Sequence, residues 1–416
     1  MFTWFKLAFR NLLKNKRRSL VTLGAVAFGF AAINLLGGFS NYIFDALEDG
    51  YVYARGNGHL SIFKKGFHRQ GLMNPASYLL NQREVEEISA FCRRDQRISI
   101  ITPQLNISGL VSNGKISTII MAEGRKPDDM RAIRHLGHGF SRKLQLFHGH
   151  ELSDKPIYQV GVAKGLAGNF NLKIGDSVVV MTTTADGFMN AFDADIVQTL
   201  DAPLEILDNL LVSMPLRFAQ ELYDCKGADR LNLLLENARL AYPMKKYLEQ
   251  QLTARNFKVE IYTWDQLRPS YLKIRNMFNV IFTFVFIIML TIVALSVVNT
   301  ISMAVLERTR EIGTLRALGL KRSGVVKIFS IEGTLLAATG SLCGFILTLL
   351  GWAAVTILQP SWTPPTIPKE VPLEIHLVPW LMAVTCLAMI VLAALAAFIP
   401  ARRAAHLRII EALRHL

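Results

Sequence analysis

Four stretches of the chain are almost continuously apolar, and the rest mixes or alternates apolar and polar positions. Residues 20–46, 272–304, 328–358 and 377–399 each hold enough consecutive apolar positions to cross a hydrocarbon core roughly 30 Å thick as a helix. Between the first two, residues 47–271 have a different texture. The runs HLSIF, ISTIIMAEG, DSVVVMTTT, DRLNLLLEN and FKVEIYTW alternate with a period of two and are punctuated by Asn-Gly, Gly-Asp and Asp-Gly turns, which predicts strands. Helical periodicity near residues 85–93, 215–223 and 244–254 predicts helices among them. The fold class expected is an integral membrane α-helical protein: four transmembrane helices, with a large extracytoplasmic α+β domain inserted between the first and second. A domain of that length can bury a real core as one or two subdomains.

Residues 1–19 place Phe5, Ala8, Phe9 and Leu12 on one helical face and Lys6, Arg10 and Lys14 on another. That pattern predicts an amphipathic helix lying under anionic lipid headgroups. The apolar run that follows exceeds a usual signal-peptide core and lacks a clean small-residue cleavage site, so a retained span is expected. Gly24, Ala25, Gly29, Gly37 and Gly38 within it are read as helix-packing positions.

Charge changes the picture next. The chain is 51% hydrophobic and carries a formal net charge of +14. The excess is concentrated in the N-terminal 20 residues, in residues 305–327 and in residues 400–416, while 47–271 is close to neutral. This is the positive-inside bias of a multi-pass protein and argues against a nucleic-acid partner. It predicts both termini and the 305–327 loop on the cytoplasmic side, with 47–271 and the short 359–376 loop outside.

Candidate chemistry is sparse. Residues 109–115 spell most of a phosphate-binding loop, but Ile116 stands where a magnesium-binding hydroxyl belongs, and Asn113-Gly114 suits a hairpin better. His135, His138, His148 and His150 form two close pairs that could meet on a zinc or copper ion; an exposed loop is the alternative, and no metal is expected. Cys92 and Cys225 share the outer domain, where a disulfide could survive, though their spacing has no framework signature; Cys343 and Cys386 read as packing residues. Glu332 stands at the entry of the third span, where it either stays hydrated or pairs with Lys327 or Arg316. Asn34 and Asn299 read as bonds between helices, and Gly340 with Gly344 as a close approach by another helix, from this chain or a second copy. No nucleophile elbow or zinc-protease motif appears, so no enzyme is expected.

The charged loop carries the most specific pattern. Ile312, Leu315 and Leu318 recur at helical spacing and Gly319 sits where a helix would stop. Glu307, Arg308, Arg310, Glu311, Ile312, Gly313, Leu315, Arg316, Ala317 and Gly319, followed by Glu332 and Gly333, resemble closely the E-R-x-R-E-I-G-x-L-R-A-x-G loop of the MacB/FtsX-type ABC permeases. The ending PARRAAHLRIIEALRHL resembles that family's tail, and the Gly175-Asp176 turn resembles one of its strand entries. The resemblance implies a permease of the mechanotransmission (type VII) class, whose loop is a coupling helix docking a separate ATPase. Two ATPase copies would hold the ATP and magnesium, and a second permease subunit would complete a homodimer or heterodimer in the bacterial inner membrane. In outline it is most similar to the lipoprotein-releasing LolC/LolE branch, which implies extraction of lipoproteins toward the outer membrane with hand-off to a periplasmic carrier. Phe188, Met189 and Phe192 are the candidate carrier contacts. Tripartite MacB-like efflux of amphiphiles or peptides, with an adaptor, is the alternative; an FtsX-like regulator of a cell-wall hydrolase is the second.

Overall fold

A computed structural model of the chain describes residues 16–71, 75–139, 141, 147–202, 205–362 and 370–407. Most of the predicted N-terminal interfacial helix and the tail beyond Leu407 lie outside the described residues. The described residues divide into two compact units, one helical (within Met1–Phe44, Ile274–Trp362 and Pro372–Leu416) and one built on a sheet (within Asp45–Lys273 and Thr363–Val371).

The chain opens with helix α1 (Lys16–Asp49). The sheet unit then runs β1 (Leu60–Lys64), α2 (Gln82–Cys92), β2 (Ile98–Ser112), β3 (Ser117–Arg125), α3 (Pro127–Leu136), β4 (Phe147–Gly149), β5 (Gln159–Ala163), α4 (Lys164–Phe170), β6 (Ser177–Thr183) and β7 (Met189–Leu200). It continues with β8 (Leu211–Pro215), α5 (Leu216–Tyr223), β9 (Arg230–Leu235), α6 (Ala241–Ala254) and β10 (Val259–Thr263). Four further helices follow: α7 (Pro269–Glu307), α8 (Thr309–Ala317), α9 (Arg322–Leu358) and α10 (Pro379–Ala405).

Helices α1, α7, α9 and α10 are long and apolar enough to cross a membrane. At 39 residues, α7 is about 58 Å long, well beyond the hydrocarbon thickness, so it overruns the predicted 272–304 span at both ends. Val280, Phe284, Ile287 and Leu295 on its surface are more than half exposed. A patch of that size is unfavourable against water and neutral against lipid.

The interior of the helical unit is drawn from all four long helices: Val26, Phe30 and Ile33 from α1, Val293 and Val297 from α7, Leu336 and Ala337 from α9, and Met389, Ala393 and Ala397 from α10. Small residues set how closely α9 approaches its neighbours. A Cβ on Gly340 would lie 2.7 Å from Val26 Cβ, and one on Gly344 would lie 2.7 Å from Phe30 Cβ. A Cβ on Gly333 would lie 2.6 Å from Ala397 Cβ. The helix that meets the Gly340–Gly344 pair is therefore α1 of the same chain. Gly24, by contrast, has nothing within 4 Å of a built Cβ. The Thr22 and Thr300 hydroxyls bond across α1 and α7 at 2.5 Å. Asn34 departs from expectation: its amide donates to the Phe30 carbonyl of its own helix at 2.8 Å, while Asn299 is exposed.

In the sheet unit the described strands form one ten-stranded mixed sheet in the order β10-β1-β9-β2-β3-β8-β5-β7-β4, with β6 pairing β2 and β7. Among the described residues only β3 with β8 and β5 with β7 run parallel. Two cores lie along it. One gathers Leu60, Ile62, Ile101, Leu231 and Leu233 of the sheet under Ile88 of α2 and Met244 and Leu248 of α6. The other gathers Leu105, Ile120, Val160, Val180 and Val212 under Leu166 of α4 and Phe218 of α5. Strand β2 serves both, pairing β9 along Ile98–Gln104 and β3 along Gln104–Ser112.

The phosphate-loop lookalike is a hairpin. Ser112 pairs Ser117, Gly114 has φ +83°, and the Asn113 side chain accepts from the Lys115 and Ile116 amides at 3.0 and 2.9 Å. Gly175 (φ +98°) and Asp176, whose carboxylate accepts from Lys173 N at 2.7 Å, turn the chain into β6. Cys92 and Cys225 are free thiols, each packed against a different core, so the possible bridge is absent.

Candidate coupling site

One end of the helical unit gathers charges of the 305–327 loop into a junction. Helix α7 stops at Glu307, Arg308 leaves helical geometry with φ −112° and ψ 18°, and α8 begins at Thr309. The Thr309 hydroxyl bonds back to the Val305 and Leu306 carbonyls, both at 3.0 Å, satisfying groups that the break would orphan. At the other end Gly319, at φ +100°, donates to the Arg316 carbonyl, and Leu320 N reaches Leu315 O at 3.0 Å. This paired closure is a Schellman motif, and it needs a left-handed residue where the sequence places glycine.

Helix α8 is held by its inner side. Ile312 is 5% exposed and joins the core of the helical unit with Ala401, Ala404 and Ala405 of α10; Gly313 and Thr309 are buried beside it. Three arginines tie the surrounding elements. Arg308 faces Glu332 of α9 at 3.5 Å, with side chains 11% and 5% exposed. Arg18 of α1 binds Glu307 at 2.6 Å. The Arg316 guanidinium donates to the Leu407 carbonyl just past α10. Glu332 thus pairs with Arg308 rather than with Lys327 or Arg316. The physical reason is reach: Arg308 arrives from the end of the preceding helix into the buried position, whereas Arg316 is committed to a backbone carbonyl.

The outer side of α8 stays free of this chain's described residues. Arg310, Glu311 and Thr314 are exposed there, and so are Leu315 and Leu318, at 45% and 80%. The three leucine and isoleucine positions expected on one face are therefore divided, one inward and two outward. Arg18 and Leu407 of the junction were not singled out by sequence; the signal for Arg18 was present only as one of a run of basic residues.

The profile described as FtsX-like permease C-terminal matches residues 283–409, which span α7 from its middle, α8, α9 and α10. Over those residues the chain is similar to the FtsX-like permeases. It is 33% identical over 124 residues to the macrolide export ATP-binding/permease protein MacB of Sodalis glossinidius (strain morsitans), a match covering 30% of this chain and 19% of that protein. To MacB of Escherichia coli (strain K12) it is 32% identical over 171 residues, covering 40% of this chain and 25% of that protein. The chain thus spans at most about a quarter of the length of these relatives. Its structure is similar to the periplasmic region of MacB from Actinobacillus actinomycetemcomitans (13% identity, 52% of this chain, 94% of that one, TM-score 0.38). It is also similar to the extracellular domain of the noncanonic ABC-type transporter YknZ from Gram-positive bacteria (12% identity, 49% of this chain, 100% of that one, TM-score 0.35).

In the sheet unit, the three apolar candidates divide. Phe188 and Met189, at the tip of the β6–β7 hairpin, are 72% and 70% exposed. Phe192 is turned inward by the alternation of β7, stacked on Tyr158 at 5.5 Å and edge-on to Phe218 at 6.2 Å, so it supports a core rather than offering a surface contact. The four histidines do not converge. His135 ends α3, His148 lies in β4, all four are exposed, and among the described residues no group of three metal-ligating side chains forms. Glu151 beside them is held by Arg131 and Arg134 at 2.7 and 3.2 Å.

Proposed function

We propose that this chain is the permease subunit of an ABC transporter in which α8 receives an ATPase on its exposed face and passes movement into α7, α9 and α10. The observation that carries this reading is the division of α8: Ile312, Arg308 and Arg316 fasten its inner side to the helical unit, while Glu311, Leu315 and Leu318 face outward. A lever needs both, a rigid attachment and a surface that something else can grip. ATP and magnesium then belong to the ATPase, two copies of which act on a pair of permease subunits. The basic loops support a cytoplasmic α8 and cytoplasmic termini, with the sheet unit on the opposite, periplasmic side of the bacterial inner membrane.

The cargo we favour is an amphiphile, taken from the bilayer or its outer surface. The names of the MacB relatives speak for export of small amphiphiles such as macrolides. The exposed Phe188-Met189 tip supports a second reading, lipoprotein extraction with a carrier or adaptor bound to that hairpin. Copurification tests the shared core of both. The full chain should retain an ABC ATPase from its native membrane, and Leu315→Asp with Leu318→Asp should lose it while still inserting. Undiminished recovery of the ATPase with that variant would overturn the docking role of α8. Cargo trapped on a complex whose ATPase cannot hydrolyse ATP then separates an acylated protein from a small amphiphile, and an empty complex would favour the regulator of a hydrolase.

A further inference from the structure

The sheet unit contains a cavity of about 300 Å³ into which five arginines converge: Arg55, Arg125, Arg134, Arg230 and Arg268. Only two carboxylates share its lining, and both are engaged. Glu123 accepts from Arg125 at 3.0 Å, and Asp201 is bound by Lys164 at 2.6 Å. Arg230 is taken by Asp229 at 3.0 Å and Arg134 by Glu151 at 3.2 Å.

Arg55 and Arg268 are different. Among the described residues neither has a carboxylate within ion-pair distance. The Arg268 guanidinium lies over the Tyr51 ring at 5.2 Å, a stacking that uses its face and leaves its N–H edge free. Arg125, 8% exposed, donates to the Arg55 carbonyl and to Asn57 Oδ1 at 2.8 Å, which fixes the backbone bearing Arg55; its own Nε has no partner, nor has that of Arg134. Burial, with Arg268 alongside, pulls the Arg55 guanidinium down to about 10, and burial lowers Arg268 as well. Two half-buried cations, beside carboxylates (Glu123 and Asp201) already bound to Arg125 and Lys164, are costly unless a further anion joins them.

We infer that this cavity binds a phosphate-bearing anion, gripped by Arg55 and Arg268 and backed by Arg125. Planar guanidinium edges match phosphate oxygens in pairs, and a phosphate with a glycerol substituent fits the volume. The apolar part of the lining, Tyr51 and Met130 among it, suits the carbon skeleton of such a group. Position in the chain bears on the source. Arg55 follows α1 by six residues and Arg268 immediately precedes α7, so both belong to the segments joining the sheet unit to membrane-crossing helices. A phospholipid headgroup and free phosphate share the chemistry, and the experiment tells them apart.

The full chain in neutral detergent is titrated with dihexanoylphosphatidylglycerol, with inorganic phosphate and with phosphate-free dihexanoylglycerol. Binding of the lipid that phosphate does not compete for identifies a headgroup site; binding of phosphate that displaces the lipid identifies free phosphate as sufficient. In either case Arg55→Gln with Arg268→Gln weakens binding by at least about tenfold, and Arg83→Gln, on the exposed surface of α2, does not. Hydrogen exchange on the wild-type chain supplies a reading that does not depend on folding of the variant: the phosphate probe slows exchange in residues 51–57 and around 268. Failure of both phosphate probes to bind, equal binding by dihexanoylglycerol, an unweakened double variant, or protection elsewhere alone overturns the inference.

Discussion

Arg308 and Glu332 lie 3.5 Å apart in a region where neither side chain is more than 11% exposed, and Glu332 Oε2 has no hydrogen bond. An ion pair so placed is a weak source of stability and an expensive thing to break in half. Glu332→Leu or Arg308→Met alone should destabilise the helical unit by about 3 kcal/mol, because the remaining charge stays buried. Replacing both, as Arg308→Met with Glu332→Leu, should restore most of the loss. Thermal unfolding of the four proteins in detergent gives the coupling, and additive losses would show that the two groups do not depend on each other.

Close helix approach makes a second prediction. Alanine at Gly344 would set its Cβ 2.7 Å from Phe30 Cβ and 2.8 Å from the Ala27 carbonyl, and the carbonyl cannot yield. Gly168, inside α4, has nothing within 4 Å. Both changes gain about 1 kcal/mol of helix propensity, so their difference isolates packing. Gly168→Ala should be neutral or stabilising and Gly344→Ala destabilising by about 2 kcal/mol, as read from melting temperatures.

His59 makes the sheet unit sensitive to acid. It is fully buried, its Nδ1 accepts from Leu235 N at 3.0 Å, Nε2 has no partner, and burial pushes the imidazole down to about 4. The unfolded chain protonates near 6.5, so the stability that depends on the neutral ring is complete above that pH and is lost as pH falls toward 4. The loss amounts to about 3 kcal/mol. Amide exchange at Leu235 should accelerate across this window in the wild type, and His59→Gln, which keeps an acceptor without a titrating ring, should flatten that response.

The β6–β7 hairpin separates surface from support. Phe188→Ser with Met189→Ser should leave the melting temperature within a degree or so, since both are mostly exposed, while abolishing any partner contact at the tip. Phe192→Ser removes a ring stacked on Tyr158 and should cost about 3 kcal/mol. Equal effects of the two variants would contradict the assigned orientations.

Much of this was legible in the sequence because local rules agreed with the final packing. Asn113-Gly114, Gly175 and Gly319 each demanded a backbone turn that glycine supplies, and each turn is present. Strands β1, β3, β6, β9 and β10 and helices α2, α5 and α6 fell where periodicity put them. Strand β2 was hidden, because Pro103 sits inside it opposite Leu231 and its inward residues change core half-way along. The partner of Glu332 was hidden for another reason. Lys327 and Arg316 lie nearer in sequence, whereas Arg308 comes from 24 residues upstream, across a turn. The arginine cavity could not be read at all, since its members come from widely separated stretches of chain that only the sheet brings together.

Strand β2 has a consequence for how the sheet unit comes apart. Its first half is woven into one hydrophobic cluster and its second half into the other, with no loop between them to act as a hinge. Neither half can melt without stripping pairing partners from its neighbour, so heat should dismantle the whole sheet in one calorimetric peak rather than two.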